Sequence, residues 1–401
     1  MNPLLTCLRD HPGPWIRGHT NEFLWTAAQD RQRFLVDPVL ILCQADPWLW
    51  LVDLLAGLAL DKPIVVARPD WKAQEQQALQ QFLGTVPETP ALWIPTGGSG
   101  SLSWIGHTGE TLLTAAQGFQ DFCRLPDSVV VLPLDHVSGL MPVLRSLVAG
   151  GTATLCPWST LPATPEALPL AGSCLSLVPT QWYRLSRDPD WVAALQTCAC
   201  VLLGGAPLAE PLLQRAIDLG IPLALSYGMT ETAAAAALVI PDRLRQGNRS
   251  YQPLPHIQIH LAADNHIVLH SAAIPGGSHH TDDVGNWDAA GDLIWLGRAS
   301  ACVNTGGEKV FPSEVEAVFW ASGGVTDVWV GGIPDPEWGE KLVAVYVPAS
   351  LPLPALQDYV REHLAPCKVP KHWLAVTGIP RQAQGKVSRP AMQQWIQAQL
   401  P

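Results

Sequence analysis

Short apolar runs alternate with longer amphipathic stretches through the first half of the chain. Residues 39–43 and 63–67 read as buried strands, and 48–60 and 71–83 as helices beside them; this alternation predicts a parallel sheet with helical crossovers. Further strands are expected over 91–95, 129–134, 174–178, 201–203 and 221–225, with helices opening after 135 and 179. From about Ser250 to Leu296 the pattern shortens to alternating runs at 257–261, 266–270 and 292–296, as in small antiparallel strands. The last hundred residues predict a compact α+β unit, with a helix from Pro312, strands at 325–333 and 341–347, a helix at 354–364 and a strand at 373–377. Ser313 is expected to cap the first of these helices, with Glu316 completing a capping box.

Composition narrows the class. A chain of 401 residues, 48% of them apolar, can fill more than one core, and two packed units are expected. Only 15% of residues are charged, and 24 basic against 35 acidic residues give a formal charge of -11. Such a surface repels nucleic acid and anionic lipid, so an anionic ligand needs a local electropositive pocket. Nine cysteines lie scattered without Cys-x-x-Cys pairs or Cys/His clusters, which points to reduced thiols, a cytoplasmic setting and no zinc site. The first residues lack the apolar core of a signal peptide, and the most apolar early stretch, 48–60, contains Asp53 and is too short to span a bilayer.

Candidate chemistry sits where predicted strands end. The run 221–225 leads into Tyr227, Gly228, Met229, Thr230 and Glu231, expected just past a strand's carboxyl end, where open α/β sheets collect ligands. Gly228 permits a tight turn or close approach. Tyr227 offers a flat face for a base, Thr230 a hydroxyl, and Glu231 a hard carboxylate suited to Mg2+. The strand at 91–95 leads into Thr96, Gly97, Gly98, Ser99, Gly100 and Ser101. Such residues can cradle phosphate through backbone N–H groups and hydroxyls; taken alone, the stretch reads better as a flexible turn, and no Walker lysine follows it.

The order Tyr-Gly-Met-Thr-Glu resembles the signature of the acyl-adenylate-forming family, which comprises acyl-CoA synthetases, firefly-type luciferases and nonribosomal-peptide adenylation domains. The resemblance implies a large acyl-CoA-synthetase-like N-terminal domain of mixed sheets and helices, residues 1–297, and a small mobile α+β C-terminal domain, 301–401, hinged near Ser300. Thr96 to Ser101 match the family's phosphate loop, although Trp104 stands where the family has lysine and Ser103 replaces a proline. Pro133, Leu134, His136, Gly139 and Leu140 match a Pro-Leu-x-His-x-x-Gly-Leu element, implying that His136, with Ser138, lies beside the acyl substrate. Asp135 is an unusual neighbour there and keeps open an amine-bearing substrate.

Other elements follow in the family's order. Pro179, Thr180, Gln181 and Arg184 resemble the branch that activates o-succinylbenzoate, a dicarboxylic acid whose second carboxylate Arg184 would bind in bidentate fashion. Gly204, Gly205, Ala206 and Pro207 match one wall of the adenine site, with Tyr227, Gly228 and Met229 opposite. Thr281-Asp282-Asp283-Val284-Gly285 matches Thr-Gly-Asp-x-Gly, so Asp283 is expected on the ribose hydroxyls, while Asp282 replaces a glycine. Arg298 is carried over as a ribose contact, and Ser300 replaces the usual hinge acid. Gly306 and Gly307 match the loop lining the pantetheine channel. In the closing motif, Lys386 matches the lysine that reaches the α-phosphate.

The resemblance therefore implies an AMP-forming acid–thiol ligase using ATP, Mg2+ and coenzyme A, with Lys386, Thr230, Glu231 and His136 as catalytic residues and Glu231 on the metal. The expected partner is a small carboxylic acid, o-succinylbenzoate of menaquinone or phylloquinone synthesis, with no nucleic acid and no transmembrane segment; a homo-oligomer is left open. Two alternatives remain: a stand-alone adenylation enzyme loading an amino or aryl acid onto a carrier protein, and a non-catalytic nucleotide-binding relative.

Overall fold

The computed structural model describes residues 2–399 apart from 34, 36, 90, 99, 100, 350, 381–386 and 388. It divides into two compact units. The first comprises Met1–Gly205, Leu219–Ile259 and Leu269–His279, and the second Ala206–Asp218, His260–Val268 and His280–Pro401.

Within the first unit, a four-stranded sheet takes the order β1 (Leu40–Leu42), β2 (Ile64–Val66), β3 (Leu92–Gly98) and β4 (Ser101–His107). The first three strands are parallel and β3–β4 is an antiparallel hairpin. The crossover helix Pro47–Ala59 is apolar nearly all round. It starts at Asp46, whose carboxylate accepts from the Leu49 N–H, and has proline in its first turn. Its interior Asp53 is buried and tolerated because Arg31 and Gln44 both donate to the carboxylate.

The larger sheet of this unit has seven strands, in the order β11 (Gln252–Pro253), β10 (Ala234–Val239), β9 (Leu223–Met229), β8 (Cys200–Leu203), β7 (Cys174–Leu177), β5 (Ser128–Val130) and β6 (Ala153–Leu155). From β9 to β6 all neighbours are parallel. Strands β5, β7 and β8 are buried at every position, the unbroken apolar run expected of strands covered on both faces. The helix Val137–Ala149 packs so close to the segment after β5 that a Cβ on Gly139 would lie 2.1 Å from the Pro133 carbonyl oxygen. That approach accounts for a glycine at this position.

A third sheet runs β12 (Gln258–Leu261), β13 (His266–His270), β14 (Ser278–Trp287), β15 (Leu293–Arg298). In the second unit, a five-stranded sheet of β16 (Val303–Thr305), β17 (Glu308–Val310), β18 (Val325–Asp335), β19 (Gly339–Pro348) and β20 (His372–Ala375) packs with the helices Pro312–Ala321 and Leu353–His363 around Val315, Phe319, Val330, Leu342, Leu356 and Val360. The capping box expected at the first of these helices does not form. Phe311 occupies the N-cap, the Ser313 hydroxyl donates to the Leu296 carbonyl (2.6 Å), and Glu316 accepts from the Val330 N–H (2.8 Å). Tertiary partners outcompete the local cap because both groups reach backbone that the sheets leave unpaired. Among the described residues no helix is long and apolar enough to cross a membrane.

The core of the first unit carries unusual polar groups. Arg145 is fully buried, its guanidinium 3.7 Å over the Phe119 ring, and burial pulls its pKa down to about 10. Beside it, His256 has both ring nitrogens buried without a hydrogen bond and fits only because residue 118 is glycine. Burial and the Arg145 charge lower the His256 pKa to about 4. Above pH ~6.5 the ring is neutral folded or unfolded; below that the unfolded chain takes the proton first. Stability should therefore fall by roughly 3 kcal/mol between about pH 6.5 and pH 4. Urea titrations of wild type and His256→Leu across that window test it, the variant losing less by that amount.

Candidate active site

Because β5, β7, β8 and β9 run parallel in one sheet, their carboxyl ends lie along one edge. The chain leaves β5 into His136, which occupies the N-cap of the Val137–Ala149 helix ahead of Ser138. It leaves β7 into the helix Pro179–Leu185, where Arg184 is exposed and its guanidinium has no ion-pair partner among the described residues. After β8 come Gly204, within 3.4 Å of Ser226 for a built Cβ, and Gly205, whose φ of 81° suits glycine. After β9 comes the 3-10 turn Thr230–Thr232 with a half-buried Glu231.

The expected boundary at β9 is corrected by the structure. Tyr227, Gly228 and Met229 belong to the strand, paired with Ala237, Ala235 and Ala234 of β10, and only Thr230 and Glu231 lie past its end. Gly228 is required by this pairing, since a Cβ would fall 1.8 Å from the Ala234 carbonyl oxygen. Tyr227 is buried, edge-on to Tyr251 at 6.1 Å. Beyond the turn the backbone passes through two left-handed alanines, Ala233 (φ 49°) and Ala234 (φ 80°), a conformation that costs energy without glycine. The Thr232 hydroxyl braces it, accepting from the Met229 N–H and lying 2.6 Å from the Ala234 carbonyl oxygen.

Thr96, Gly97 and Gly98 continue β3 and pair with Ser103, Leu102 and Ser101, so these residues belong to the strands of the β3–β4 hairpin. Ser99, Gly100 and Lys386 lie outside the described residues. Trp104, at the position of the family's loop lysine, stacks on Phe82 (4.6 Å, 6°), meets Trp71 edge-on and donates to the Val66 carbonyl at 3.3 Å. At the far end of β4, His107 is wholly buried. Its Nε2 lies 2.8 Å from the Thr230 carbonyl oxygen and its Nδ1 3.2 Å from the Thr111 hydroxyl. Burial lowers the His107 pKa, against the Thr230 bond that favours its charged form.

Asp283, Arg298, Gly306 and Gly307 belong to the second unit, together with Ala206 and Pro207. Asp283 is cross-strand partner to Arg298, 3.8 Å separating carboxylate and guanidinium, and accepts from the Trp295 indole at 3.2 Å. Gly306 and Gly307, both at positive φ, form the two-residue turn between β16 and β17. A Cβ on Gly306 would lie 2.7 Å from Trp338.

The residues 40–270, more than half of the chain, match the family model for AMP-binding enzymes, and 314–386 match the C-terminal domain of the same enzymes. This chain belongs to the AMP-binding enzyme family. It is 30% identical over 298 residues to 2-succinylbenzoate–CoA ligase of Geobacillus sp. (strain WCH70), covering 67% of this chain and 60% of that relative. It is 29% identical over 335 residues to a probable 2-succinylbenzoate–CoA ligase of Mycobacterium tuberculosis, covering 77% and 85%. In fold it is similar to o-succinylbenzoate CoA synthetase from Bacillus subtilis in complex with the acyl-adenylate intermediate, with a TM-score of 0.78, 21% identity and 97% of each chain covered.

Within this AMP-binding enzyme, three polar arrangements escaped sequence reasoning. His107 is one; its position at the end of an alternating strand gave no cue to a carbonyl 123 residues away. The second joins two of the departures from the family's pattern. Asp282 accepts from both the backbone N–H and the hydroxyl of Ser300, so one irregular residue is the partner of the other. The third is Arg68, whose guanidinium lies 2.9 Å from Asp135 and 3.5 Å from Asp70; Asp135 already has a cation.

The residues present fit a magnesium ion. Among the described residues no three His, Cys, Asp or Glu side chains form a metal cage, and Mg2+ prefers one or two carboxylates completed by water and substrate phosphates. Glu231, beside the Thr230 hydroxyl, is that kind of donor. Trp104 has become part of the hydrophobic packing, so Trp104→Lys should lower unfolding stability by about 2 kcal/mol. Urea denaturation measures it, and an unchanged midpoint would contradict the packing role.

Proposed function

We propose that the chain is an AMP-forming acid–thiol ligase that adenylates o-succinylbenzoate and passes the acyl group to coenzyme A. One observation supports this reading: an Arg184 guanidinium with no ion-pair partner among the described residues and the Thr230–Glu231 turn follow strands whose carboxyl ends share one sheet edge. Names borne by similar chains support the acid: the first curated relative, of which this chain spans 60%, is a 2-succinylbenzoate–CoA ligase.

In the first half-reaction a carboxylate oxygen of the acid attacks the α-phosphorus of ATP, forming an acyl–O–P bond as the bond to pyrophosphate breaks. Thr230 and the Thr96–Ser101 hairpin orient phosphate oxygens, Tyr227 and the Gly204–Pro207 segment flank the adenine, and Asp283 with Arg298 binds the ribose. Glu231 would hold a magnesium ion, which when bound would supply charge neutralisation. Lys386 brings an ammonium to the attacking and phosphorus-bound oxygens, where negative charge gathers. His136 and Ser138 line the acyl side, and Arg184 grips the second carboxylate. In the second half-reaction the thiolate sulfur of coenzyme A attacks the acyl carbonyl and AMP leaves. Gly306 and Gly307 border the pantetheine path after residues 301–401 turn about Ser300. A cytoplasmic setting suits the nine cysteine thiols.

The reading in which an amine-bearing acid is activated relied on Asp135, and the Arg68 pairing at 2.9 Å removes much of its support. A pyrophosphate-exchange panel of acids decides between them, with exchange confined to amino acids overturning the proposal. Arg184→Leu should raise the KM for o-succinylbenzoate by about tenfold to a hundredfold, while leaving that for ATP within twofold of wild type. Lys386→Ala should abolish adenylation yet retain most thioesterification of a supplied acyl-adenylate; equal loss of both half-reactions would remove Lys386 from its role.

A further inference from the structure

Two elements of the proposed phosphate site belong to different sheets. Gly97 and Gly98 end β3 of the β1–β4 sheet, and the Thr230–Glu231 turn follows β9 of the seven-stranded sheet. Groups that must act on one triphosphate need a fixed separation, which neither sheet's own ladder provides.

His107 joins the two sheets. It ends β4, paired with Leu92 at the end of the hairpin away from the glycines, and its Nε2 lies 2.8 Å from the Thr230 carbonyl oxygen. A carbonyl only accepts, so Nε2 carries the hydrogen. On the other side Nδ1 faces the Thr111 hydroxyl, which also lies 3.0 Å from the Thr108 carbonyl. The ring is wholly buried and touches no solvent, so the bond has no competing water. Its acceptor is the first residue of a turn that runs into two left-handed alanines. Strained backbone of this kind persists only where its surroundings over-determine it, and His107 together with the Thr232 hydroxyl does so.

We propose that His107 is a positioning residue for Mg·ATP: its Nε2–H holds the Thr230 carbonyl and thereby fixes the turn that carries the Thr230 hydroxyl and the Glu231 carboxylate. The proposal rests on the nucleotide part of the function above, not on the identity of the acid. His107 itself touches neither nucleotide nor acid in this role, so its loss is felt in nucleotide binding and in adenylation, not in affinity for the acid.

The test uses the full chain as wild type, His107→Gln and His107→Leu. Glutamine retains a neutral N–H donor near the Nε2 position, and leucine retains bulk without a donor. Calorimetric titration with Mg·ATP, acid and coenzyme A absent, should show His107→Leu weakened about tenfold, the loss of one buried hydrogen bond. His107→Gln should stay within about threefold, and the KM for o-succinylbenzoate should be unchanged in both. Wild-type affinity in His107→Leu overturns the proposal, as does His107→Gln bound as weakly as His107→Leu. If the leucine variant does not fold, the threefold limit on His107→Gln decides. Nitrogen-15 spectra of wild-type imidazoles give a readout apart from binding: a neutral ring protonated at Nε2 is expected for His107, and one protonated at Nδ1 overturns the assignment. A wild type that binds Mg·ATP but activates no acid refutes the ligase reading and leaves this comparison standing; a wild type that does not bind Mg·ATP overturns both.

Discussion

The parallel ladder from β9 to β5 is the constraint on which the rest of the first unit depends. Parallel pairing obliges each strand to return through a crossover, so every carboxyl end emerges at the same edge and every connection begins there. His136, Arg184, Gly204 and Thr230 are far apart in sequence and share that edge because Val129 pairs with Leu175, Leu175 with Val201 and Val201 with Leu223. The ladder holds its register because β5, β7 and β8 are buried throughout, and slipping by one residue would move every side chain to the opposite face.

Backbone geometry, more than side-chain chemistry, explains several residues of the signature. Gly228 lies in the strand against the Ala234 carbonyl, and Gly139 lies against the Pro133 carbonyl; both admit approaches that a Cβ would block. The tight turn after β9 demands left-handed alanines, and its strain is borne by a threonine hydroxyl and a buried imidazole. On the proposed function, a hydroxyl and a carboxylate held this way would need little rearrangement to meet a triphosphate.

Departures from the family's pattern have local accounts. Trp104 cannot serve as a phosphate cation, and its indole instead stacks on Phe82 over a small apolar cluster with Val65, Ala67 and Leu79. Asp282 and Ser300, irregular separately, bond to each other. Asp135 is bound to Arg68.

Hydropathy periodicity by itself determined the α/β class, the strands and helices of the first half and the antiparallel character after residue 250, because burial on one or both faces imprints the pattern directly. Motif order determined the family, since residues such as Thr230, Glu231 and Gly205 are constrained by backbone and chemistry at single positions. Tertiary structure decided what depends on distant partners. It put Tyr227 inside a strand by pairing it with Ala237, and it drew Ser313 and Glu316 from a local cap to the backbone of Leu296 and Val330. It also joined His107 to Thr230 across two sheets. A hydrogen bond between residues far apart in the chain leaves no periodic trace, because its geometry exists only once both sheets have formed.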